Sequence, residues 1–239
     1  MATRRNWLLD AVEPSVRGRF EPRMRRVELR RGETLLQAGD EIRQVWFPQG
    51  ALVGLISNMP GGEAVQTGML GWDGALGVFE ACGSRKSAFL AEVQVEGPAC
   101  CLAADDYRRM YEASENLRTA VHKYVEILLA EARQFIACNA LHAVESRLCR
   151  SVLEALERST DGRVLPTTQE MLAEMLGVQR TTVTAAVSQL QAQGALRSVR
   201  GQIEVLDKAA LERAACCCHE AVREARAEIA AAHVHVCED

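Results

Sequence analysis

The chain of 239 residues lacks any apolar run near the roughly 20 residues needed to cross a bilayer, which excludes a membrane-spanning helix. It also lacks an excess of positive charge. Twenty-eight lysines and arginines against 32 acidic residues leave a formal net charge of −4, so polyanions are not bound by bulk electrostatics. Any nucleic-acid surface must therefore be local. A secretory leader is missing too: Arg4 and Arg5 precede the apolar stretch Trp7–Val12, but Asp10 and Glu13 interrupt it. The expected location is the cytoplasm. There is no nucleophile–base spacing, no phosphate-cradling glycine loop and no convincing metal motif, so neither an enzyme nor a bound cofactor or metal is expected. The nine cysteines are an odd number and include the run Cys216–Cys217–Cys218. In a cytoplasmic chain this argues for reduced, partly buried thiols rather than a disulfide framework.

Glycine and proline become scarce after the first hundred residues. Thirteen of the 17 glycines lie between Gly18 and Gly97, and five of the six prolines lie at or before Pro98. The short apolar stretches between these breakers read as strands: Leu35–Leu36, Gln44–Phe47, Leu52–Ile56, Ala64–Met69 and Ala88–Val95. Their spacing predicts an antiparallel β domain of sandwich or small-barrel type. Beyond it, Asp105 or Asp106 is placed to cap a short helix through Tyr107–Met110. A long helix is predicted from about Ser114 to Asn139. Leu117, Val121, Tyr124, Val125, Leu128, Ala132, Phe135 and Ile136 recur three and four apart along it. Periodicity alone leaves two uses for this stripe, packing on the β domain or a seam between two copies of the helix.

The third region reads as helices followed by short strands. Leu141–Arg158 is predicted as a helix with Leu148, Val152, Leu153 and Leu156 inward. After Pro166, Thr167 or Thr168 is a ready N-cap, with Glu170 at the capping-box position for Thr167. In Thr167–Val187, Leu172, Leu176, Val183 and Val187 supply contacts between two short helices, Ala173 permits close approach, and Gly177 ends the first helix. The second helix then opens with Gln179, Arg180, Thr181, Thr182 and Thr184, a polar first turn of the kind that meets base edges in a helix-turn-helix. Between Glu174 and Glu204 there is no acidic residue, while Arg180, Arg197 and Arg200 fall inside that window. A phosphate backbone would be attracted there rather than repelled. Ala195–Val199 and Gln202–Leu206, joined at Arg200–Gly201, read as a two-stranded wing, so Arg197 and Arg200, with Thr168 and Gln169, are expected on phosphates. Lys208 to about Ala232 reads as one terminal helix rich in alanine.

With these features in order, the chain resembles the Crp/Fnr family of bacterial transcription regulators from about Arg26 to about Ala215. The resemblance rests on Arg31–Asp40 and Phe47–Gly50 in the β region and on Met171–Val187 with the Arg200–Gly201 wing. It implies an α+β fold: an N-terminal antiparallel, jelly-roll-like β-roll (1–108), a long dimerisation helix (109–139), a winged helix-turn-helix (140–207) and a C-terminal helix and tail (208–239). It implies double-stranded DNA, a second copy of the chain and RNA polymerase as partners, with a small-molecule effector in the β-roll. It also assigns the stripe to a dimer, through Leu117, Val121, Tyr124, Leu128 and Phe135.

Two departures limit the carry-over. Members that bind cyclic nucleotides have a Gly-Glu pair for the ribose and an Arg-Ser/Thr pair for the phosphate. Here Gly71–Gly77 followed by Ser84–Ala88 lacks the Gly-Glu, leaving Arg85 and Lys86 as the effector candidates and pointing to an effector other than cyclic AMP, or none. The iron–sulfur members use cysteines near the N-terminus, whereas the first cysteine here is Cys82. Arg180 fits a guanine-binding position of the family, but Thr181 and Ala185 stand where glutamate and a further arginine are usual, so the family's half-site does not transfer.

Helix geometry bounds what the remaining cysteines can do. Three successive residues on a helix point about 100° apart and cannot close on one zinc, although Cys216 and His219 would share a face. Cys100, Cys101 and Cys138 are candidates for oxidant sensing, and His233, His235 and Cys237 for a weak metal site. The alternative function is therefore a small-molecule or thiol-redox sensor whose DNA binding is weak or vestigial.

Overall fold

The structure, a computed structural model, describes residues 5–159 and 161–232; the His233, His235 and Cys237 candidates lie outside the described residues. The interrupted stretch at the start is folded, as α1 (Trp7–Asp10) followed by α2 (Pro14–Phe20). Asn6 caps α1, accepting from the Leu8 and Leu9 amides, and its own amide donates to the carbonyls of Pro48 at 2.9 Å and Gly74 at 2.7 Å. Leu8, Val12, Val16 and Phe20 thereby enter the main core.

Seven strands follow: β1 (Arg25–Leu29), β2 (Thr34–Leu36), β3 (Gln44–Pro48), β4 (Leu52–Asn58), β5 (Ala64–Leu70), β6 (Leu90–Val95) and β7 (Gly97–Ala103). They form two antiparallel sheets, β1-β7-β3 and β2-β6-β4-β5. Five of the seven were expected. β1 escapes a pattern search because four of its five residues are Arg, Val and Glu on an edge, with only Leu29 buried. β7 escapes because it opens on Gly97–Pro98; the Pro98 carbonyl still accepts from the Gln49 and Gly50 amides, so the missing donor costs the strand little.

Helix α3 (Ala104–Ala113) leads to α4 (Glu115–Leu141). The expected aspartate cap of α3 is corrected: Ala103 holds the cap position without a side-chain bond, and Asp105 and Asp106 sit in the first turn, where the helix dipole favours them. Ser114 does cap α4, accepting from the Leu117 amide at 3.0 Å. At 27 residues α4 is about 40 Å long. The stripe expected at a dimer seam packs within the single chain. Leu117, Val121 and Tyr124 are buried in the chain's own β-domain core, with Leu128 packed against that core and the Tyr124 hydroxyl donating to the Ala75 carbonyl at 3.2 Å. Phe135 is half-buried, its ring 4.2 Å from the Arg150 guanidinium.

The C-terminal half contains α5 (Val144–Arg158), β8 (Val164–Leu165), α6 (Gln169–Leu176), α7 (Arg180–Ala192), β9 (Leu196–Val199), β10 (Gln202–Val205), α8 (Lys208–Ala214) and α9 (Cys218–Ala231). The wing has three strands rather than two, in the order β8-β10-β9. A second core holds Leu148, Val152, Leu153, Leu172, Val183, Leu190 and Ile203, and reaches Leu52, Met69 and Val95 of the β domain. The terminal helix expected from Lys208 is broken at residues 215–217, where Ala215 is extended at ψ 150°. No helix among the described residues is long and apolar enough to cross a membrane.

Candidate nucleic-acid interface

The helix-turn-helix is built from local signals. Thr168, not Thr167, caps α6 by accepting from the Met171 amide at 3.2 Å. Glu170 does not complete a capping box; its carboxylate instead lies 3.3 Å from Arg180. Gly177 ends α6 in the left-handed conformation at φ 62°, which an L side chain adopts only at a cost. Leu172, Leu176, Val183, Val187 and Leu190 are buried between the helices. This core holds α7 with its first turn outward, so that Gln179, Arg180, Thr181, Thr182 and Thr184 are all exposed.

These five side chains are not equivalent. Gln179 stands at the N-cap of α7, exposed and without a side-chain capping bond, so its amide is not spent on the helix end. Among the described residues Arg180 is held by the exposed pair with Glu170, and such a pair is worth about 0–1 kcal/mol, so its release costs little. The Thr184 hydroxyl lies 2.7 Å from Gln169 Oε1 and 3.0 Å from the Arg180 carbonyl. It ties α7 to α6, and it joins Gln169 to the same polar edge.

The wing separates its two arginines. Arg197 Nε donates to Glu204 at 3.1 Å across the β9–β10 ladder, so the carboxylate that ends the acid-free window neutralises it. Arg200 occupies the exposed tip at φ 41° and has no ion-pair partner among the described residues. Of the predicted phosphate contacts it is therefore the best placed.

Among the described residues the effector candidates are brought to no built site. Arg85 and Lys86 are exposed on a surface turn, with Arg85 at φ 60°. The Gly71–Asp73 end of the neighbouring segment meets α5 instead, while Leu76 pairs with Trp46 inside the β domain. Asp73 accepts from Arg158 Nε at 2.9 Å, Arg158 Nη2 donates to Glu131 at 2.8 Å, and Arg226 pairs with both carboxylates. Burial opposes the charge on Asp73, but the two guanidiniums hold its carboxyl below the ordinary range. Sequence reasoning misses this network, because its four members lie on four separate elements. Glu80 is a second group it misses: its carboxyl is buried with neither oxygen hydrogen-bonded among the described residues, and burial pushes it up to about 7.

Burial raises Cys82 and Cys100, and pushes Cys138 and Cys149 up to about 12, the opposite of what a reactive sulfur needs. Cys216 and His219 do not share a face as expected; the helix break turns Cys216 towards Cys138, while His219 lies 3.5 Å from Glu157.

A β domain of two antiparallel sheets, a long helix and a three-stranded winged helix-turn-helix define the class. Residues 146–214 match the Crp-like helix-turn-helix domain. No match to a curated protein reaches significance. Among solved structures, the chain is similar to a CRP-family transcriptional regulator from Thermus thermophilus, at 20% identity over 79% of this chain and 96% of that one, with a TM-score of 0.67. It is similar to FixK2 from Bradyrhizobium japonicum, at 15% identity over 81% and 98% with a TM-score of 0.69. The c-di-GMP responsive global regulator CLP from Xanthomonas campestris gives 15%, 81%, 99% and 0.65 in the same order. The chain thus has the fold of the Crp/Fnr transcription regulators and carries a Crp-like helix-turn-helix.

Proposed function

We propose that the chain is a sequence-specific DNA-binding regulator that acts as a homodimer on a two-fold symmetric operator and works with RNA polymerase. The observation that carries this reading is the outward first turn of α7, polar throughout and free of acid, set by the left-handed Gly177. Arg180 and Gln179 read base edges in the major groove, where an arginine meets guanine O6 and N7, with Thr181 and Thr182 beside them. Thr184 and Gln169 fix the angle of α7 through their hydrogen bond. Arg200, the Thr168–Gln169 helix start and, after release from Glu204, Arg197 hold phosphates. Two copies place their recognition helices about one helical turn apart. The β-roll takes an effector other than cyclic AMP, or none, since Asp73 is committed to Arg158 and Arg226 and Arg85 and Lys86 face solvent. The chain divides into a sensor β-roll (1–108), a dimerisation helix (109–139), the winged helix-turn-helix (140–207) and a C-terminal helix and tail (208–239).

The experiment is selection of bound duplexes from a random pool, followed by binding of the selected and scrambled duplexes to two variants. Arg180→Ala is expected to lose discrimination by about 1–3 kcal/mol at one base pair, while Arg200→Ala weakens both duplexes alike and lowers the salt slope by about one. Equal losses on both duplexes for Arg180→Ala would remove base reading from this residue.

A further inference from the structure

Three cysteines and a histidine converge where α4 gives way to α5. Cys138 and His142 are four residues apart at the end of α4, so they share a face. Cys216 and Cys218 flank the break between α8 and α9. That break is what brings them in: Cys216 sits in non-helical backbone, Cys218 opens α9, and both reach the α4 end while Cys217 stays on the exposed rim. The three sulfurs and one ring nitrogen all lie within 4.8 Å of one another.

Two edges of this cluster have the right length for a metal. Zinc bound tetrahedrally, at about 2.3 Å from sulfur and 2.0–2.1 Å from nitrogen, sets sulfur–sulfur edges of about 3.8 Å and sulfur–nitrogen edges of about 3.6 Å. Here Cys138 Sγ is 3.5 Å from Cys216 Sγ, and Cys218 Sγ is 3.4 Å from His142 Nδ1. Cys217 Sγ, at 3.9 Å, faces Nε2 on the other side of the ring and so lies outside the tetrahedron. Cys138, Cys216 and Cys218 are buried in a cluster of their own, shared with neither domain core.

The surroundings suit the charge of such a centre. Three thiolates and a neutral imidazole around Zn2+ carry a net −1. Gln134 Nε2 donates to Cys218 Sγ at 3.0 Å, the outer-shell contact that orients a ligand. The guanidiniums of Arg147 and Arg150 are close enough to Cys138 and Cys216 to interact with them, and the buried Nε of each has no acceptor among the described residues.

We propose that Cys138, His142, Cys216 and Cys218 bind one zinc ion in a closed Cys3His site. Each ion displaces the three thiol protons, and with four protein ligands it leaves no open position for catalysis. The ion would tie the end of α4 to the α8–α9 junction across the hinge at His142–Ala143, where both residues leave the helical conformation. It thereby fixes the helix-turn-helix half against the long helix.

The test uses the full chain purified under reducing conditions. Elemental analysis is expected to find one zinc per chain. After chelation and loading with cobalt(II), the intense visible bands of a tetrahedral thiolate site should saturate at one equivalent. Cys138→Ser, His142→Ala, Cys216→Ser and Cys218→Ser should each lose that equivalent, while Cys217→Ser and Cys82→Ser keep it. Gln134→Ala should fold and weaken zinc binding by about 10–100-fold, which keeps the proposal testable if the ligand variants aggregate. Zinc loading should also slow amide exchange at residues 142–146 and 215–219. Absence of zinc and of a cobalt spectrum would overturn the site, as would a Cys138–Cys216 disulfide in the native protein. Equal loss of the cobalt spectrum in Cys217→Ser would overturn the ligand set. Unchanged exchange on loading would overturn the hinge role.

Discussion

Glu80 offers a perturbation whose size follows from the structure. The residue is 7% exposed, neither carboxylate oxygen has a hydrogen-bond partner among the described residues, and burial raises its carboxyl from 4.5 to about 7. A raised carboxyl binds its proton more tightly in the folded state than in the unfolded one. Its contribution is therefore fully present below pH 4.5 and is lost as the pH rises through about 7. A tenfold difference in proton affinity between the two states is worth about 1.4 kcal/mol, so the interval from 4.5 to about 7 corresponds to about 3 kcal/mol. Glu80→Gln keeps the shape and removes the titration. Urea unfolding followed by tryptophan emission reads the right domain, since Trp7, Trp46 and Trp72 all lie in the N-terminal half. The wild type should lose about 3 kcal/mol relative to Glu80→Gln between about pH 4.5 and about pH 8. Parallel pH profiles for the two proteins would refute the reasoning.

Arg158 is the centre of the buried network, so Arg158→Met leaves Asp73 and Glu131 with Arg226 as their remaining ion-pair partner among the described residues. The expected cost is about 3–5 kcal/mol in urea unfolding. Because the folded Asp73 carboxyl is lowered, the network's contribution should stand above pH 3.8 and fade as the pH falls below it. Gly177→Ala meets two penalties: a left-handed backbone at about 1–2 kcal/mol, and a Cβ only 3.1 Å from Val65 Cγ2. Gly177→Asn should recover part of the backbone penalty but not the contact, and unfolding midpoints of the three proteins would order them.

The helix-turn-helix is legible in the sequence because every determinant is local. Thr168, Gly177 and the spacing of Leu172, Leu176, Val183 and Val187 act within one turn or between neighbouring helices, and the structure departs from expectation at Glu170, which pairs with Arg180 instead of completing a capping box. The β domain is legible where strands are bounded by turns and not where chemistry is masked, as in the charged edge strand β1 and the Gly-Pro start of β7. What escapes is whatever depends on distant pairing. Asp73, Glu131, Arg158 and Arg226 look like ordinary surface charges until four elements meet. The cysteine cluster escapes for a related reason. The alanine-rich run Lys208–Ala232 carries no glycine or proline to announce the break at 215–217, and a continuous helix would indeed have spread those thiols apart.

Distant pairing also decides where two copies would meet. A long helix has room for about three contact faces, and two on α4 are taken. Leu117, Val121, Tyr124 and Leu128 face the β domain. Lys123, Glu131 and Gln134 face α9, which runs antiparallel to α4: Lys123 Nζ donates to the Ala230 carbonyl, Arg226 pairs with Glu131, and Gln134 donates to Cys218. The third face carries Val125, Leu129, Ala132 and Ile136, spaced four, three and four as in a coiled-coil seam. Leu129 is 50% exposed and Ile136 72% exposed in the single chain. We therefore expect Leu129→Asp and Ile136→Asp to fold normally and sediment as monomers that bind the selected operator far more weakly. Leu117→Asp, by contrast, places a charge in the β-domain core and should unfold the protein rather than dissociate it. A Leu129→Asp, Ile136→Asp double variant that remains dimeric would show that the copies meet elsewhere.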